Sequence, residues 1–119
     1  MVAPIVPAPS GCGNLWGVIV LNRFRVPDER REVFRDQAAA AMGVLQTKAG
    51  LVSIELVQNV DEPDLWALVH VWDEVGSYRR ALQGYESKAT VVPMLSLSID
   101  EPSAYLAPEL VGENRPRGA

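Results

Sequence analysis

The chain carries one histidine, His70, inside an eight-residue run from Leu65 to Trp72 that alternates strictly. A β-strand sends successive side chains to opposite faces, so Trp66, Leu68, His70 and Trp72 share one face, and Leu65, Ala67, Val69 and Val71 the other. The second face is aliphatic and must meet another layer of protein. The first is aromatic around one imidazole, which suits a cavity wall as well as a core. An imidazole of ordinary pKa, about 6.5, acts as a general base where its lone pair is free. Packed against Trp72 and hydrogen-bonded locally, the same ring is structural, and both readings stand.

Asn22 is the second polar residue in apolar company. It falls on the even face of Leu15 to Val26, with Trp16, Val18, Val20, Phe24 and Val26. An unpartnered amide there would cost about 1 to 3 kcal/mol. It therefore either orients a substrate oxygen or O₂, or bonds to helix backbone or water. Trp66 and Trp72 are flat enough to stack on a ring and equally able to fill a core. Phe24, Phe34, Tyr78 and Met94 line the same space if helices stand off the sheet. Arg23 and Arg25 have the opposite parity and point to a subunit rim or to solvent.

These side chains need elements to hold them. The β-branched run from Leu15 to Val26 predicts a first strand. Pro27-Asp-Glu places a proline and two acids in the first turn of a helix reaching about Lys48. Phe34, Ala38, Ala41 and Leu45 recur on that helix at spacings of four and three, an apolar stripe flanked by Val33, Ala40 and Val44. Gly50 ends the helix, and Leu51 to Val60 predicts a second strand with Val52, Ile54 and Leu56 on one face. Asp61-Glu-Pro-Asp64 is a compact hairpin turn in which the aspartates can bond nearby amides. Asp73 can cap a second helix with Val75, Tyr78 and Leu82 inward, closed by Gly84. Tyr85 to Leu97 reads as a short irregular helix around Pro93, and Ser103 to Ala107 as the last strand.

The order β-α-β-β-α-β predicts an α+β ferredoxin-like fold, a four-stranded antiparallel sheet with helices on one face. The other face, with Ile19, Leu21, Ala67, Val69 and Val71, needs a cover. A second copy stacked sheet to sheet supplies one, so a homodimer is expected. One domain over residues 15–108 is expected, with a flexible N-terminal segment over 1–14 and a flexible tail over 109–119.

Composition excludes several classes of partner. Fifteen acidic against eleven basic residues give a net charge of −4, and the arginines are scattered, so nucleic acid is not expected. No apolar run has the length of a membrane span, and no signal-peptide pattern precedes the first strand, so a cytoplasmic protein is expected. A single cysteine, Cys12, excludes an internal disulfide and a cysteine-based zinc site.

Several local pieces, taken in order, resemble one family: VxNRFxVP before the first helix, the Ala49-Gly-Leu-Val loop, the NVDEPDLW turn, the strand ending in Trp72, and DEPSAY before the last strand. Together they resemble the antibiotic biosynthesis monooxygenase domain of the dimeric α+β barrel superfamily, over Val18 to Tyr105. Similar proteins include oxidases that attack phenolic, polyketide-like rings with O₂ and no metal or flavin, proteins that bind or degrade haem, and many without established activity. For the oxidases the resemblance implies that a phenol or enol is deprotonated and the carbanion reacts with O₂. Trp72 and Tyr78 resemble a Trp and Tyr used by such oxidases, while Leu68 stands where an Asn would be expected. For the haem-degrading members Asn22 matches. However, Ala81 replaces the tryptophan that puckers haem, and Thr90 or a neighbour replaces the axial histidine.

The reading that follows is a cofactor-independent monooxygenase of a small aromatic or polyketide-like substrate. Asn22, His70, Trp72 and Tyr78 are the catalytic candidates, and Phe24, Phe34, Trp66, Leu68 and Met94 the ligand-binding walls, with no metal. The alternative is a non-catalytic dimeric binder of a hydrophobic metabolite or, less favoured, haem.

Overall fold

The computed structural model describes residues 17–111, and the expectations for 1–14, for the strand's start at Leu15 and Trp16, and for the tail from 112 lie outside it. Strand β1 runs Val18–Arg25, and a single 3₁₀ turn at Asp28–Arg30 leads into helix α1, Arg31–Leu45. Strands β2, Leu51–Gln58, and β3, Leu65–Trp72, form the hairpin. Helix α2 spans Val75–Ala81. A π-helical turn at Ser87–Val91 follows and continues into the short helix α3, Val92–Leu95. Strand β4 is only Ala104–Tyr105, and a final turn of helix, α4, occupies Pro108–Val111. The sheet order is β2-β3-β1-β4, with every pairing antiparallel, which is the ferredoxin-like arrangement.

The two faces divide as the alternation requires. Val18, Val20, Asn22 and Phe24 of β1 and Trp66, Leu68, His70 and Trp72 of β3 are buried beneath the helices. The stripe Phe34, Ala38, Ala41 and Leu45 of α1 covers them, and its alanines let helix and sheet approach closely. On the opposite face Leu21, Ala67, Val69 and Val71 are half-buried and Ile19 is 50 % exposed.

Local differences from expectation have physical causes. Val52 does not share a face with Ile54 and Leu56. The β2–β3 register shifts between Leu51 and Ser53, and the extra residue Val52 is turned out, 65 % exposed. In the hairpin turn the side chain that bonds the backbone is Asn59, whose Oδ1 accepts the N–H groups of Asp61 and Glu62 at 2.8 Å. Asp64 is instead drawn to Arg25 at 3.2 Å. Pro27 stands at the cap position rather than inside the helix, and α1 stops at Leu45. Asp73 does not cap α2. Glu74 holds that position, without a side-chain bond, while the Asp73 N–H is spent on the Gly50 carbonyl at 2.8 Å. The last strand is shorter than Ser103 to Ala107 because its neighbours reach β1 through single bonds. Leu21 N–H donates to the Ser103 carbonyl and Ile99 N–H to the Arg23 carbonyl, each at 2.7 Å.

Gly50 controls how α2 lies against the sheet. Its φ is +97°, and a Cβ there would sit 2.5 Å from Cβ and Oγ of Ser77 and 2.7 Å from Asp73 Oδ1. No other residue type combines that dihedral with that approach. Gly84 has φ +93° but nothing within 4 Å of a built Cβ. Gly50→Ala is therefore expected to destabilise the fold by about 1 to 3 kcal/mol, and Gly84→Ala by less, since only backbone strain acts there. Urea unfolding of the two variants checks the ranking.

Candidate functional site

The β1–β3 register sets Asn22 opposite Leu68 and Val20 opposite His70. Asn22 and His70 are thus diagonal neighbours on one face, within reach of each other's longer side chains. Trp72 follows His70 by two residues and so shares its face. The Trp72 Nε1–H donates to His70 Nδ1 at 2.8 Å, and His70 Nε2 meets Asn22 Oδ1 at 2.8 Å.

The roles along this chain of bonds follow from the indole, which can only donate. His70 Nδ1 must accept, so the imidazole is neutral with its hydrogen on Nε2, and that hydrogen goes to Asn22. A second proton would set N–H against N–H. Burial alone lowers the His70 pKa to about 4, and no charged group adds to the effect. Tyr78 is the titratable group facing the ring, at 5.9 Å between centroids. A general base needs a free lone pair, and the one on His70 is taken up by Trp72 in a ring with no exposed surface.

Asn22 differs from its neighbours in one respect. Its oxygen is engaged by His70, its amide nitrogen meets no acceptor among the described residues, and the residue is 6 % exposed.

Two aromatic groups flank this amide. His70, Trp72 and Tyr78 lie mutually edge-on or tilted, with centroids 5.9 to 6.3 Å apart. Phe24 stands 5.0 Å from Phe34, and Phe34 5.6 Å from Trp66. Leu68 and Met94 are buried in the same core. The structure thus gathers all four catalytic candidates, while Phe24, Phe34 and Trp66 form a separate cluster toward the far end of β1. Burial raises the Tyr78 phenol above its ordinary pKa, and a hydrogen bond with Ser103 and the charge of Arg79 oppose this.

Two surface depressions among the described residues lie elsewhere. One of about 230 Å³ is bounded by Val26, Asp28, Arg31, Pro63 and Asp64. The other, about 330 Å³, lies between Arg23, Trp66 and the Val57–Val60 segment. Arg23 is not simply at a rim: its guanidinium bonds both Glu101 oxygens, at 2.7 and 2.8 Å, and hydrogen bonding to it holds the Glu101 carboxyl below its ordinary pKa.

The sequence reading passed over Ser77, Ser87 and Ser103. Ser87 is fully buried and its Oγ donates to the Ala81 carbonyl at 2.6 Å, tying the π-helical turn to the end of α2. Serine is so common on surfaces that only a neighbour known in three dimensions would have marked these three.

Among the described residues the only imidazole has both nitrogens engaged in the core, and no group of three or more His, Cys, Asp or Glu is placed to hold a metal. No helix among them is long and apolar enough to cross a membrane.

A family model described as antibiotic biosynthesis monooxygenase matches residues 17–92. No curated protein matches the chain. Among solved structures, a conserved protein from Methanosarcina mazei Go1 superposes with a TM-score of 0.67 at 16 % identity, covering 79 % of this chain and 95 % of the other. SnoaB, a cofactor-independent oxygenase from Streptomyces nogalater, superposes with a TM-score of 0.65 at 24 % identity, covering 76 % and 92 %. A protein from Shewanella oneidensis gives 0.62 at 16 % identity, covering 77 % and 91 %. At these identities the superpositions establish the shared fold.

The buried imidazole makes stability depend on pH. Its pKa is about 4 folded, against an ordinary 6.5. Between those values the unfolded chain binds a proton that the folded chain refuses. The contribution is complete above 6.5, falls as pH drops through the window, and amounts to on the order of 3 kcal/mol. Urea midpoints from pH 7.5 to 4.5 are expected to decline more steeply for the native chain than for His70→Gln, which has no group titrating there.

Proposed function

The chain belongs to the antibiotic biosynthesis monooxygenase family, and on that premise we propose that it is a cofactor-independent monooxygenase oxidising a small aromatic or polyketide-like substrate with O₂. The observation that carries the reading is the Asn22 amide. Its oxygen is held by His70, which packs against Trp72 and Tyr78, and its donor hydrogens meet no acceptor among the described residues. Such a donor stabilises negative charge as it develops on a substrate oxygen.

The chemistry balances without an added reductant. A hydroxylated ring or its enol loses a proton, the carbanion gives electrons to O₂, and a C–O bond forms. Loss of water from the resulting hydroperoxide leaves a carbonyl. One oxygen atom stays on the substrate, the other leaves as water, and the substrate supplies all the electrons and both hydrogens. Leu68 and Met94 serve as apolar walls, with Phe24, Phe34 and Trp66 beyond them toward the far end of β1. In this reading the substrate oxygen arrives at the Asn22 amide nitrogen.

The half-buried apolar face of the sheet, with Ile19 half exposed, supports a homodimer joined sheet to sheet. Sedimentation at micromolar concentration is expected to give twice the chain mass of 13.0 kDa, and a monomer would contradict it.

A second reading is favoured by one observation, the engaged lone pair of His70: the same wall binds a hydrophobic metabolite without transforming it. Oxygen uptake with a panel of hydroquinones and anthrones separates the two. The native chain is expected to consume O₂, with Asn22→Ala lowering kcat/KM about a hundredfold, the scale of one lost oxyanion donor. Equal turnover would take Asn22 out of the mechanism, and saturable binding without uptake would leave a binder.

A further inference from the structure

Each bond in the buried relay dictates the next. Trp72 can only donate, so His70 Nδ1 accepts. The neutral imidazole then has its one hydrogen on Nε2, so the Asn22 atom facing it at 2.8 Å must be the carbonyl oxygen. The amide cannot flip. With its nitrogen toward His70 it would need an accepting Nε2, and the displaced hydrogen on Nδ1 would press on the indole N–H. The Asn22 NH₂ therefore points away from His70 and meets no acceptor among the described residues.

No carboxylate, lysine or arginine among the described residues is buried beside the relay. The buried polar side chains among the described residues are Asn22, His70, Ser77 and Ser87. Ser87 Oγ is spent on the Ala81 carbonyl, and Ser77 Oγ accepts from Arg80 at 3.3 Å. Tyr78, half-buried, is a neutral phenol whose hydroxyl engages Ser103.

We propose that His70 is a positioning residue: held by Trp72, it commits the Asn22 amide to donating toward the oxygen of the hydroxylated aromatic. This deepens the reading of the preceding subsection and rests on its placing of the site.

Two measurements test this without depending on turnover. Since the chain has one histidine, long-range proton–nitrogen correlation of the ¹⁵N-labelled protein gives one imidazole pattern. The neutral Nε2–H form is expected from pH 7.5 to 5.5. An Nδ1–H form, or titration at the ordinary histidine value, overturns the proposal even if every variant misfolds.

The second measurement is binding of 4-nitrophenol, whose anion is coloured, against 4-nitroanisole, which cannot ionise. The native chain is expected to bind the anion at least about tenfold more tightly than the anisole, the worth of one charge-assisted hydrogen bond. Asn22→Asp still accepts from His70 but turns an oxygen to the ligand, and is expected to abolish that preference. His70→Gln can accept from Trp72 and donate to Asn22 in the same sense, and is expected to keep it within about threefold, whereas His70→Leu loses it, since only the former retains both hydrogen bonds. Preference retained in Asn22→Asp, or lost equally in both His70 variants, overturns the proposal. If these results hold and no O₂ is consumed, the oxygenase reading alone fails. If O₂ is consumed while the anion preference is absent, this proposal alone fails.

Discussion

The indole N–H of Trp72 has one acceptor within the core, His70 Nδ1, and the polarity of the buried face follows from that bond. Three polar side chains sit in a layer otherwise made of Val18, Val20, Phe24, Leu68 and Met94. Buried polar groups are costly where they lack partners, and here the bonds between them run in a single direction. Removing any member would leave a buried donor or acceptor at a cost of about 1 to 3 kcal/mol, so structure and site share the same constraint.

The relay depends on pairing of β1 with β3 in one register. A slip of one residue would send Asn22 to the open face and leave His70 facing nothing that accepts its hydrogen. That register is guarded at both ends. Arg25 pairs with Glu62 and Asp64 at the hairpin, and Arg23 clamps Glu101, which precedes β4. The helical layer is fixed separately, by the approach of Gly50 to Ser77 and by the buried Ser87 bond to Ala81, and this brings Tyr78 against the imidazole and indole. A lengthened π-helical turn carries the chain past Pro93, which lacks the N–H a regular helix would use.

Much of the fold was legible because burial writes itself in periodicity. The alternation from Leu65 to Trp72 and the four-and-three stripe from Phe34 to Leu45 both appear as expected, and element order led to the four-stranded antiparallel sheet. Short-range chemistry was less legible. Val52 kept the strand pattern yet lies in a bulge, because pairing geometry rather than hydrophobicity places the extra residue. Asn59, not the aspartates, holds the hairpin turn, since Arg25, thirty-odd positions away in sequence, claims Asp64. Contacts between residues distant in sequence leave no mark on local composition.

The sequence by itself determined which side chains share the buried face: strand periodicity is a property of neighbouring residues, and it was enough to group Trp66, Leu68, His70 and Trp72 and to set Asn22 among apolar residues. Only the tertiary structure decided what those polar groups do. Whether His70 offers a lone pair or spends it depends on which atom lies 2.8 Å away, and that is set by strand register and by the indole's being a donor alone. A residue that looked like a base in sequence is a bridge in the fold.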